Sequence, residues 1–296
     1  MNHLHIAAAQ YPIHAYARWD DYAAALSTFV AEGAATGAKL LVLPEYASMV
    51  LTSVLDVPRT LAAQLDAMQS LLAAYHALHA ALARQHAIHL LAGSIPTHRE
   101  DGEYVNRAWL FNDQGAAGYQ DKLIMTRFEN ESWGISPGKN LRVFDTALGT
   151  LAIAICYDCE FPLLARAQAE AGAELLLVPS CTDTAAGYHR VRYGSQARAL
   201  ENQIHVVQAA TVGDAPWSET LDINVGAAAI YTPVDRGFPA DGIAAMGTRE
   251  QPGWVDGIVD LKLARSLRTD GRVLNYRDWR RQDSVVIRAA ERQRLG

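Results

Sequence analysis

Residues 151–162 read LAIAICYDCEFP. The apolar run from Leu151 to Ile155 predicts a short buried strand, and Pro162 stands where the first turn of a helix favours proline. Cys156 therefore closes a strand directly before a helix, and α/β proteins bind their ligands at such strand ends. A helix N-terminus and a nearby cation would lower the pKa of this thiol and supply a nucleophilic thiolate. The alternative is a small buried apolar residue.

The same alternation of strand and helix extends to both sides of this segment. Buried strands are predicted at residues 4–10, 39–43, 86–93, 107–112, 117–120, 174–178, 205–211, 226–231 and 254–261. Helices are predicted at residues 19–32, 60–85, 162–172 and 195–202. Strands and helices that alternate along most of a chain indicate an α/β fold.

Composition narrows the classes of function. The chain has 296 residues, of which 50% are hydrophobic and 20% charged, and this excludes disorder and fibres. The net charge is −6, which gives no electrostatic reason to bind nucleic acid or anionic lipid. We therefore expect a small molecule as partner, with no nucleic acid and no membrane.

The cysteines and the apolar runs bear on the cellular setting. Cys156, Cys159 and Cys181 are an odd number of cysteines, which makes a poor disulfide framework. No apolar run approaches the roughly 18 residues of a membrane span, and the N-terminus lacks the basic and apolar segments of a signal peptide. We expect a soluble protein in the reducing cytoplasm.

The chain shows neither a linker nor a repeat, so one domain is predicted over residues 1–264. Residues 265–296 form a basic C-terminal extension, in which arginines outnumber acidic residues. Such an extension is either a solvated face or a segment that packs on the domain or on a partner subunit.

Two further ionisable residues follow predicted strands. Glu45 comes directly after the apolar residues 40–44, and partial desolvation there raises a carboxyl pKa toward the range of a useful general base. Lys122 ends the strand at residues 117–120. Taken singly, Glu45 reads as a turn acid and Lys122 as a surface lysine. Together with Cys156 they form a self-consistent set for acyl transfer: an acid, a cation and a thiol.

Four segments resemble the successive signatures of the nitrilase superfamily of carbon–nitrogen hydrolases, in the order of that family and with roughly its spacing. They are Leu41-Val-Leu-Pro-Glu45-Tyr, Asp121-Lys122-Leu, Ala154-Ile-Cys156-Tyr-Asp158 with Phe161-Pro162, and Ala197-Arg-Ala-Leu-Glu201-Asn202-Gln. The resemblance covers about residues 4–261 and points to the amidase-like branch. It implies a four-layer α-β-β-α sandwich that forms a homodimer or a larger homo-oligomer.

The resemblance also implies a catalytic set and no metal or organic cofactor. Glu45, Lys122 and Cys156 fall on the family's Glu-Lys-Cys positions. Glu129 matches a second glutamate of the family, with Glu131 as the alternative. The segment that contains Glu201 and Asn202 is interpreted as a scaffold beside the site.

The implied reaction cleaves a non-peptide C–N bond of a small amide through a thioester on Cys156. Glu45 takes the thiol proton, and Lys122 with the backbone N–H of Tyr157 stabilises the oxyanion. Glu129 orients Glu45 or the substrate nitrogen. Nitrile-cleaving members typically carry Trp where this chain has Tyr157, which favours an amide. A nitrilase, an N-carbamoyl amidohydrolase, an acyltransferase and an inactive binding protein on the same scaffold remain alternatives.

Glu160 and Cys181 are predicted to line the substrate pocket. Many members of the family carry Arg at the position of Glu160, so the charge is reversed here. A nearby Glu160 would disfavour an anionic substrate, such as the monoamide of a dicarboxylate, and favour a neutral or amine-bearing amide. The alternative is a surface substitution that faces away from the site.

Histidines and a second cysteine offer other interpretations of the chemistry. The histidines between residues 76 and 89 lack a carboxylate or cysteine to complete a metal site. Cys159 makes a C-x-x-C spacing with Cys156, but the order of elements does not fit a redox protein, so it is predicted to be structural. Residues 188–192 are predicted to form a loop that faces the substrate. A Cys-His-acid hydrolase would need His189 or His205 as its base.

Overall fold

A computed structural model of the chain describes residues 3–57, 60–218, 221–284 and 292–295. The strands in these ranges are His3–Pro12 (β1), Leu40–Val42 (β2), His89–His98 (β3), Tyr104–Phe111 (β4), Ala117–Asp121 (β5), Val143–Thr146 (β6), Gly149–Ile153 (β7), Leu175–Ser180 (β8), His205–Asp214 (β9), Ile223–Asn224 (β10), Ala229–Tyr231 (β11), Ile243–Met246 (β12) and Gly253–Asp260 (β13). The α-helices are Trp19–Ala35 (α1), Leu61–Met68 (α2), Leu72–His86 (α3), Arg127–Glu131 (α4), Pro162–Glu170 (α5), Ala185–Asn202 (α6), Leu261–Asp270 (α7) and Asn275–Asp278 (α8). None of the helices in the described ranges has the length and apolarity needed to cross a membrane.

β1 lies at the centre of the sheet and connects its two halves. It pairs in parallel with β2 and antiparallel with β13, whereas only its last residues, Gln10 to Pro12, pair with β9. The strand order is β5-β4-β3-β2-β1-β9-β8-β7-β6, with β13 on β1 and β11 on β9. We call β5-β4-β3-β2-β1-β13 the first half-sheet and β6-β7-β8-β9-β11-β12 the second half-sheet.

Alternate side chains of β1 enter two different cores, as the twofold repeat of a strand requires. Leu4 and Ile6 pack in a core with β7, β8 and β9 of the second half-sheet. Ala7 and Ala9 pack in a core with α1 and α3. Helices α5 and α6 cover the second half-sheet, where Val191 is one of the contacts. The fold is therefore α/β, and the predicted four-layer α-β-β-α sandwich is confirmed.

The directions of the strands gather several loops at one edge. β1, β2 and β3 are parallel, and β5 runs the same way because β4 is antiparallel to both of its neighbours. Glu45 after β2 and Lys122 after β5 therefore leave the same edge of the first half-sheet. β7 and β8 are also parallel and lead to Cys156 and Cys181 in the second half-sheet.

The helix predicted over residues 60–85 is two helices, α2 and α3, separated by the 3₁₀ turn Gln69–Leu71. The side chain of Gln69 attaches this turn to β3. Its Nε2 donates to the carbonyl oxygens of Leu65 and Pro96, and its Oε1 accepts the N–H of His98. This tertiary contact explains a break that the helical pattern of the sequence does not contain.

The prediction of a loop at residues 188–192 is wrong, because these residues lie inside α6. Thr184 caps the helix: its Oγ1 accepts the N–H of Gly187 at 3.1 Å. A threonine at the N-cap position supplies an acceptor for an otherwise unpaired N–H of the first turn. The helix therefore begins ten residues before the predicted start at Ser195.

Part of the C-terminal extension contacts the domain. The guanidinium of Arg166 on α5 lies 4.5 Å from the ring centre of Tyr276 and 5.1 Å from that of Trp279. Gln203 donates to the carbonyl oxygens of Leu267 and Val273. Residues 285–291 and 296 of the extension lie outside the described residues. Contact with a partner subunit remains a prediction.

Candidate active site

A bulge in β3 holds the backbone around Glu45. The register between β3 and β4 shifts on the N-terminal side of Ser94, and Gly93 there takes φ +73°. A Cβ at Gly93 would lie 2.1 Å from the carbonyl oxygen of Pro44, so only glycine fits. Ser94 Oγ accepts the N–H of Tyr46 at 3.0 Å. The bulge thus fixes the residues on both sides of Glu45.

Lys122 stands where two loops of the site are joined. Its backbone N–H donates to the carbonyl oxygen of Asn106 on β4 at 2.9 Å. The N–H groups of the next two residues donate to the carboxylate of Asp158 at 3.2 and 2.8 Å. Because Asp158 comes two residues after Cys156, its side chain ties the lysine loop to the cysteine turn.

Glu129 is directed into the site by the way in which α4 begins. Thr126 and Glu129 form a capping box, in which the Glu129 carboxylate accepts the N–H of Thr126 at 2.9 Å. This contact turns the carboxylate back toward the start of the helix. The alternative residue, Glu131, is exposed and pairs with Arg127 at 2.8 Å. The structure therefore places Glu129, and not Glu131, beside Lys122.

Cys156 begins a 3₁₀ turn, Cys156–Glu160, in an uncommon backbone conformation. Its φ is +48°, a left-handed value that costs a residue with a side chain about 1–2 kcal/mol. Such strain collects at functional sites, where the surrounding structure enforces it. The thiol donates to the carbonyl oxygen of Cys181 over 3.7 Å. Cys159 points away, toward the carbonyl oxygen of Val191.

The Lys122 ammonium lies between two carboxylates. Nζ donates to Glu45 Oε1 at 2.8 Å and to Glu129 Oε2 at 2.6 Å. The second oxygen of Glu45 accepts the N–H of Cys181 at 3.1 Å, and Glu129 Oε1 accepts the hydroxyl of Tyr46 at 2.8 Å. The three charged side chains are at most 2% exposed. Hydrogen bonds thus replace the water that each buried charge has lost.

Burial and these contacts set the protonation states. Burial raises the pKa of Glu45, the Lys122 charge opposes it, and Glu129 adds to it. Burial alone would lower the pKa of Lys122, but the two carboxylates raise it well above its usual value. Burial also acts to raise the pKa of Glu129, and Lys122 outweighs that effect, so it is lowered. Burial, with Glu45, raises the pKa of the Cys156 thiol. The resting site holds a neutral thiol beside a carboxylate of increased proton affinity.

A cavity of about 530 Å³ opens over this group of side chains. All seven residues predicted for the site line it: Glu45, Lys122, Glu129, Cys156, Tyr157, Glu160 and Cys181. Apolar surface comes from Phe128, Trp133, Val191 and Ile223, and further charge comes from Arg127, Asp183, Arg190 and Asp222. A cavity with a reactive end and apolar walls is suited to a small organic molecule.

Glu160 does not stand alone at the cavity. Its Oε1 lies 3.5 Å from Nε of Arg190 on α6. The charge reversal seen in the sequence is therefore countered by a cation from another element. The alternative of a surface substitution that faces away from the site is wrong.

Three residues that the sequence interpretation left out of the site contact it: Tyr46, Asn106 and Asp158. Tyr46 and Asp158 belong to the sequence segments that contain Glu45 and Cys156, and their nearness to these residues could have indicated a role in the site. Asn106 Nδ2 donates to Glu45 Oε1 at 2.9 Å. Nothing near Asn106 in the sequence marks it except that it is a polar residue in a strand.

The histidine-base alternative is wrong. His205 is the first residue of β9 and pairs with Leu175 at the start of β8, so it lies at the strand ends opposite Cys156. His189 stacks on Tyr193 along α6. Among the described residues, no histidine lines the cavity. A Cys-His-acid arrangement is therefore not formed around this thiol.

Comparisons with known proteins agree with this geometry. The chain is 46% identical over 182 residues to Probable hydrolase YhcX of Bacillus subtilis (strain 168), covering 62% of the chain and 36% of that protein. It is 30% identical over 155 residues to Omega-amidase NIT2-B of Xenopus laevis, covering 45% of the chain and 55% of that protein. The matches thus span between 36% and 55% of these curated relatives.

The fold has a solved counterpart in Saccharomyces cerevisiae Nit3, described as a member of branch 10 of the nitrilase superfamily. The TM-score is 0.71 at 22% identity, and the match covers 90% of this chain and 93% of that one. Residues 5–237 match the family model described as Carbon-nitrogen hydrolase. Since this match covers most of the sequence, the chain belongs to the carbon–nitrogen hydrolase family.

Proposed function

We propose that this enzyme hydrolyses a non-peptide C–N bond of a small amide through a thioester on Cys156. The observation that carries the proposal is the position of the buried Cys156 thiol beside Glu45 and Lys122 in a single cavity. A thiol with a raised pKa needs a base at the moment of attack, and Glu45 has an increased proton affinity.

In the first half-reaction, Glu45 accepts the thiol proton and the sulfur adds to the amide carbonyl carbon. The tetrahedral intermediate carries its negative charge on the former carbonyl oxygen. Lys122 has three N–H donors, of which two bind Glu45 and Glu129, so one remains for that oxygen. The backbone N–H of Tyr157 is the second proposed donor. One such donor is worth about 3 kcal/mol of the barrier.

Collapse of the intermediate breaks the C–N bond. Glu45 returns the proton to the leaving nitrogen, so ammonia or an amine departs and the acyl group stays on sulfur. In the second half-reaction Glu45 takes a proton from water, the hydroxide adds to the thioester, and the C–S bond breaks. The proton then returns to the thiolate, and a carboxylic acid is released. Glu129 keeps Lys122 in place throughout.

Two observations support an amide as substrate. One aligned relative is named an omega-amidase, and Tyr157 occupies the position where nitrile-cleaving members typically carry Trp. Nitrile hydrolysis, N-carbamoyl hydrolysis and acyl transfer use the same three catalytic groups and differ in the shape of the pocket. Nitrile and amide hydrolysis both give a carboxylic acid and ammonia, so only a panel of substrates separates these two, whereas N-carbamoyl hydrolysis also releases carbon dioxide and acyl transfer gives a new acyl derivative.

The charges at the rim favour a neutral or amine-bearing substrate. Arg190 is countered by Glu160 and Arg127 by Glu131. Asp183 and Asp222 also line the cavity and form no ion pair within the described ranges. An anionic amide would meet this uncompensated negative charge, whereas an ammonium group on the substrate would be attracted to it.

The test is ammonia release from a panel of neutral, cationic and anionic amides, nitriles and N-carbamoyl compounds. We expect turnover of a neutral or cationic amide by the wild type and none by Cys156→Ala. Cys159→Ala is the matched control and should stay active, since this thiol points away from the cavity. Iodoacetamide should label Cys156 stoichiometrically and with a pH dependence. Equal, slow labelling of all three cysteines, with no turnover, would support the inactive binding protein.

A further inference from the structure

Asn106 touches three of the four proposed catalytic residues without lining the cavity. It is fully buried on β4. Its side-chain Nδ2 donates to Glu45 Oε1 at 2.9 Å and to Glu129 Oε1 at 3.4 Å. Its main-chain carbonyl oxygen accepts the backbone N–H of Lys122 at 2.9 Å. One side chain thus bridges both carboxylates on the side remote from the substrate.

The hydrogen bond from Asn106 to Glu45 determines which carboxylate oxygen of Glu45 is free to accept the thiol proton. Oε1 accepts hydrogen bonds from both Lys122 and Asn106. Oε2 accepts the N–H of Cys181, and the Cys156 thiol donates to the carbonyl oxygen of that same residue. Oε2 is therefore the oxygen on the side of the thiol. Donors on Oε1 prevent the carboxylate from rotating away.

The contact also favours the ionised form of Glu45. An amide N–H donates to a carboxylate and does not titrate, so it stabilises the charge at every pH. Burial and Glu129 act in the opposite direction. The Oδ1 of Asn106 has no hydrogen-bond partner in the described part of the chain, although it is buried. Within the described residues only the amide donor of this side chain is engaged, and both of its acceptors are carboxylates of the site.

We propose that Asn106 is a positioning residue, which keeps Glu45 ionised and turned so that Oε2 faces the Cys156 thiol. The inference rests on the proposed function of Glu45 as the base. Asn106 itself touches neither thiol nor substrate, so its effect is on the proton-transfer step and not on binding. Loss of the donor should therefore lower kcat and leave KM unchanged.

The variant is Asn106→Leu, which is close in size and has no donor. The groups that face Glu45 are unchanged in it: Lys122, Glu129, Cys156, Cys181, Tyr46 and Asp158. We expect kcat to fall about 10- to 100-fold, as for other residues that orient a reacting group. The acidic limb of the pH profile should move up by about one pH unit, because Glu45 loses a donor to its charged form.

The matched control is Asn202→Leu. Asn202 is equally buried, donates to the carbonyl oxygen of Arg198 and, within the described ranges, also has an unpaired Oδ1. It is the last residue of α6, three residues before His205 at the strand ends opposite Cys156, and it does not line the cavity, so the interpretation of its segment as a scaffold beside the site is wrong. The Asn202→Leu variant should have a lower thermal stability than the wild type and the same pH profile. Asn106→Ala repeats the test with a residue that adds no atoms, in case the leucine variant does not fold.

The rate of Cys156 alkylation by iodoacetamide, measured against pH, needs no substrate. It therefore tests Asn106 even if no amide is hydrolysed, and that result would count against the proposed function alone. A shift of the alkylation profile to higher pH in both Asn106 variants, and not in Asn202→Leu, supports the positioning role. Profiles of folded Asn106 variants that coincide with the wild type would overturn it.

Discussion

Glu45 and Lys122 are 77 positions apart in the chain, and their side chains form a 2.8 Å hydrogen bond beneath the cavity. Glu129 binds the same ammonium at 2.6 Å, so a single cation serves two buried carboxylates. Removing such ions from water costs several kcal/mol each, and mutual attraction offsets this only while every partner is present. Loss of any one of these three charged groups should therefore lower both the stability and the activity of the protein.

Lys122→Met tests this coupling. It leaves two carboxylates buried without their cation, so the free energy of unfolding should fall by about 3–5 kcal/mol in urea titrations. Amide hydrolysis should fall at least about 100-fold. Lys139→Met is the control, since Lys139 pairs with Asp101 on the surface, and its unfolding midpoint should match the wild type. Equal midpoints for both variants would contradict the burial argument.

Gly93→Ala tests the bulge beside Glu45. The control is Gly102→Ala. Both glycines have a positive φ, +73° at Gly93 and +92° at Gly102, so alanine is strained at either position. A Cβ at Gly102, however, has no neighbour within 4 Å. Gly102→Ala should cost about 1 kcal/mol. Gly93→Ala should cost about 1–3 kcal/mol more, because its Cβ collides with the Pro44 carbonyl oxygen, and it should lower kcat. If the two variants unfold alike, the contact with Pro44 is not what demands glycine.

Asp158 should make stability depend on pH. Burial raises the pKa of this carboxyl from 3.8 to about 7, against the opposing effect of Lys122 and two backbone N–H groups. Between about pH 4 and pH 7 the folded state binds more protons than the unfolded state, so stability falls as pH rises through this window. The loss is absent below the unfolded pKa and complete above the folded one.

Asp158→Asn removes this titration and keeps an acceptor for the two N–H groups. The stability of the variant relative to wild type should therefore rise between pH 4 and pH 8, by an amount on the order of 4 kcal/mol. Urea unfolding of both proteins at several pH values measures it. A constant difference across that range would show that Asp158 is ionised throughout.

Removal of negative charge from the rim should change substrate preference. In the double variant Asp183→Asn, Asp222→Asn we expect kcat/KM for an anionic amide to rise about 5- to 10-fold relative to a neutral amide of the same length, and less at high salt. The control removes the same charge elsewhere, in Asp20→Asn, Asp56→Asn, which line no part of the cavity. A similar change in both double variants would attribute the preference to net charge alone.

Much of the fold could be predicted because apolar patterns report burial directly. The strand predicted at residues 4–10 is β1, His3–Pro12, and the strand predicted at residues 174–178 begins one residue before β8 and ends two residues before its end. The division of residues 60–85 into two helices depends on the Gln69 side chain meeting β3. The strands β6 and β12 are half-buried and carry weak patterns, and neither was predicted.

The candidate site was predicted from motifs and strand ends, and the residues that hold it in place were not. The chemistry of a thiol, a carboxylate or an amine follows from the residue type, so Cys156, Glu45 and Lys122 can be identified as candidates in the sequence. The side chain of Asn106 reaches the site through two hydrogen bonds to residues 61 and 23 positions away. Which acceptor an amide meets across such distances is a property of the folded chain, so no local pattern encodes it.

The two half-sheets contribute different parts of the site: Glu45 and Lys122 come from the first, and Cys156 comes from the second. Backbone hydrogen bonds join the halves where Gln10 to Pro12 and the following Ile13 meet β9. Side chains of the first half-sheet, such as Leu4 and Ile6, pack in the core of the second, so base and nucleophile become neighbours only when this shared core forms. During refolding, fast alkylation of Cys156 would report the packing of the two half-sheets against each other. Partial unfolding that separates them would abolish activity before all of the secondary structure is lost.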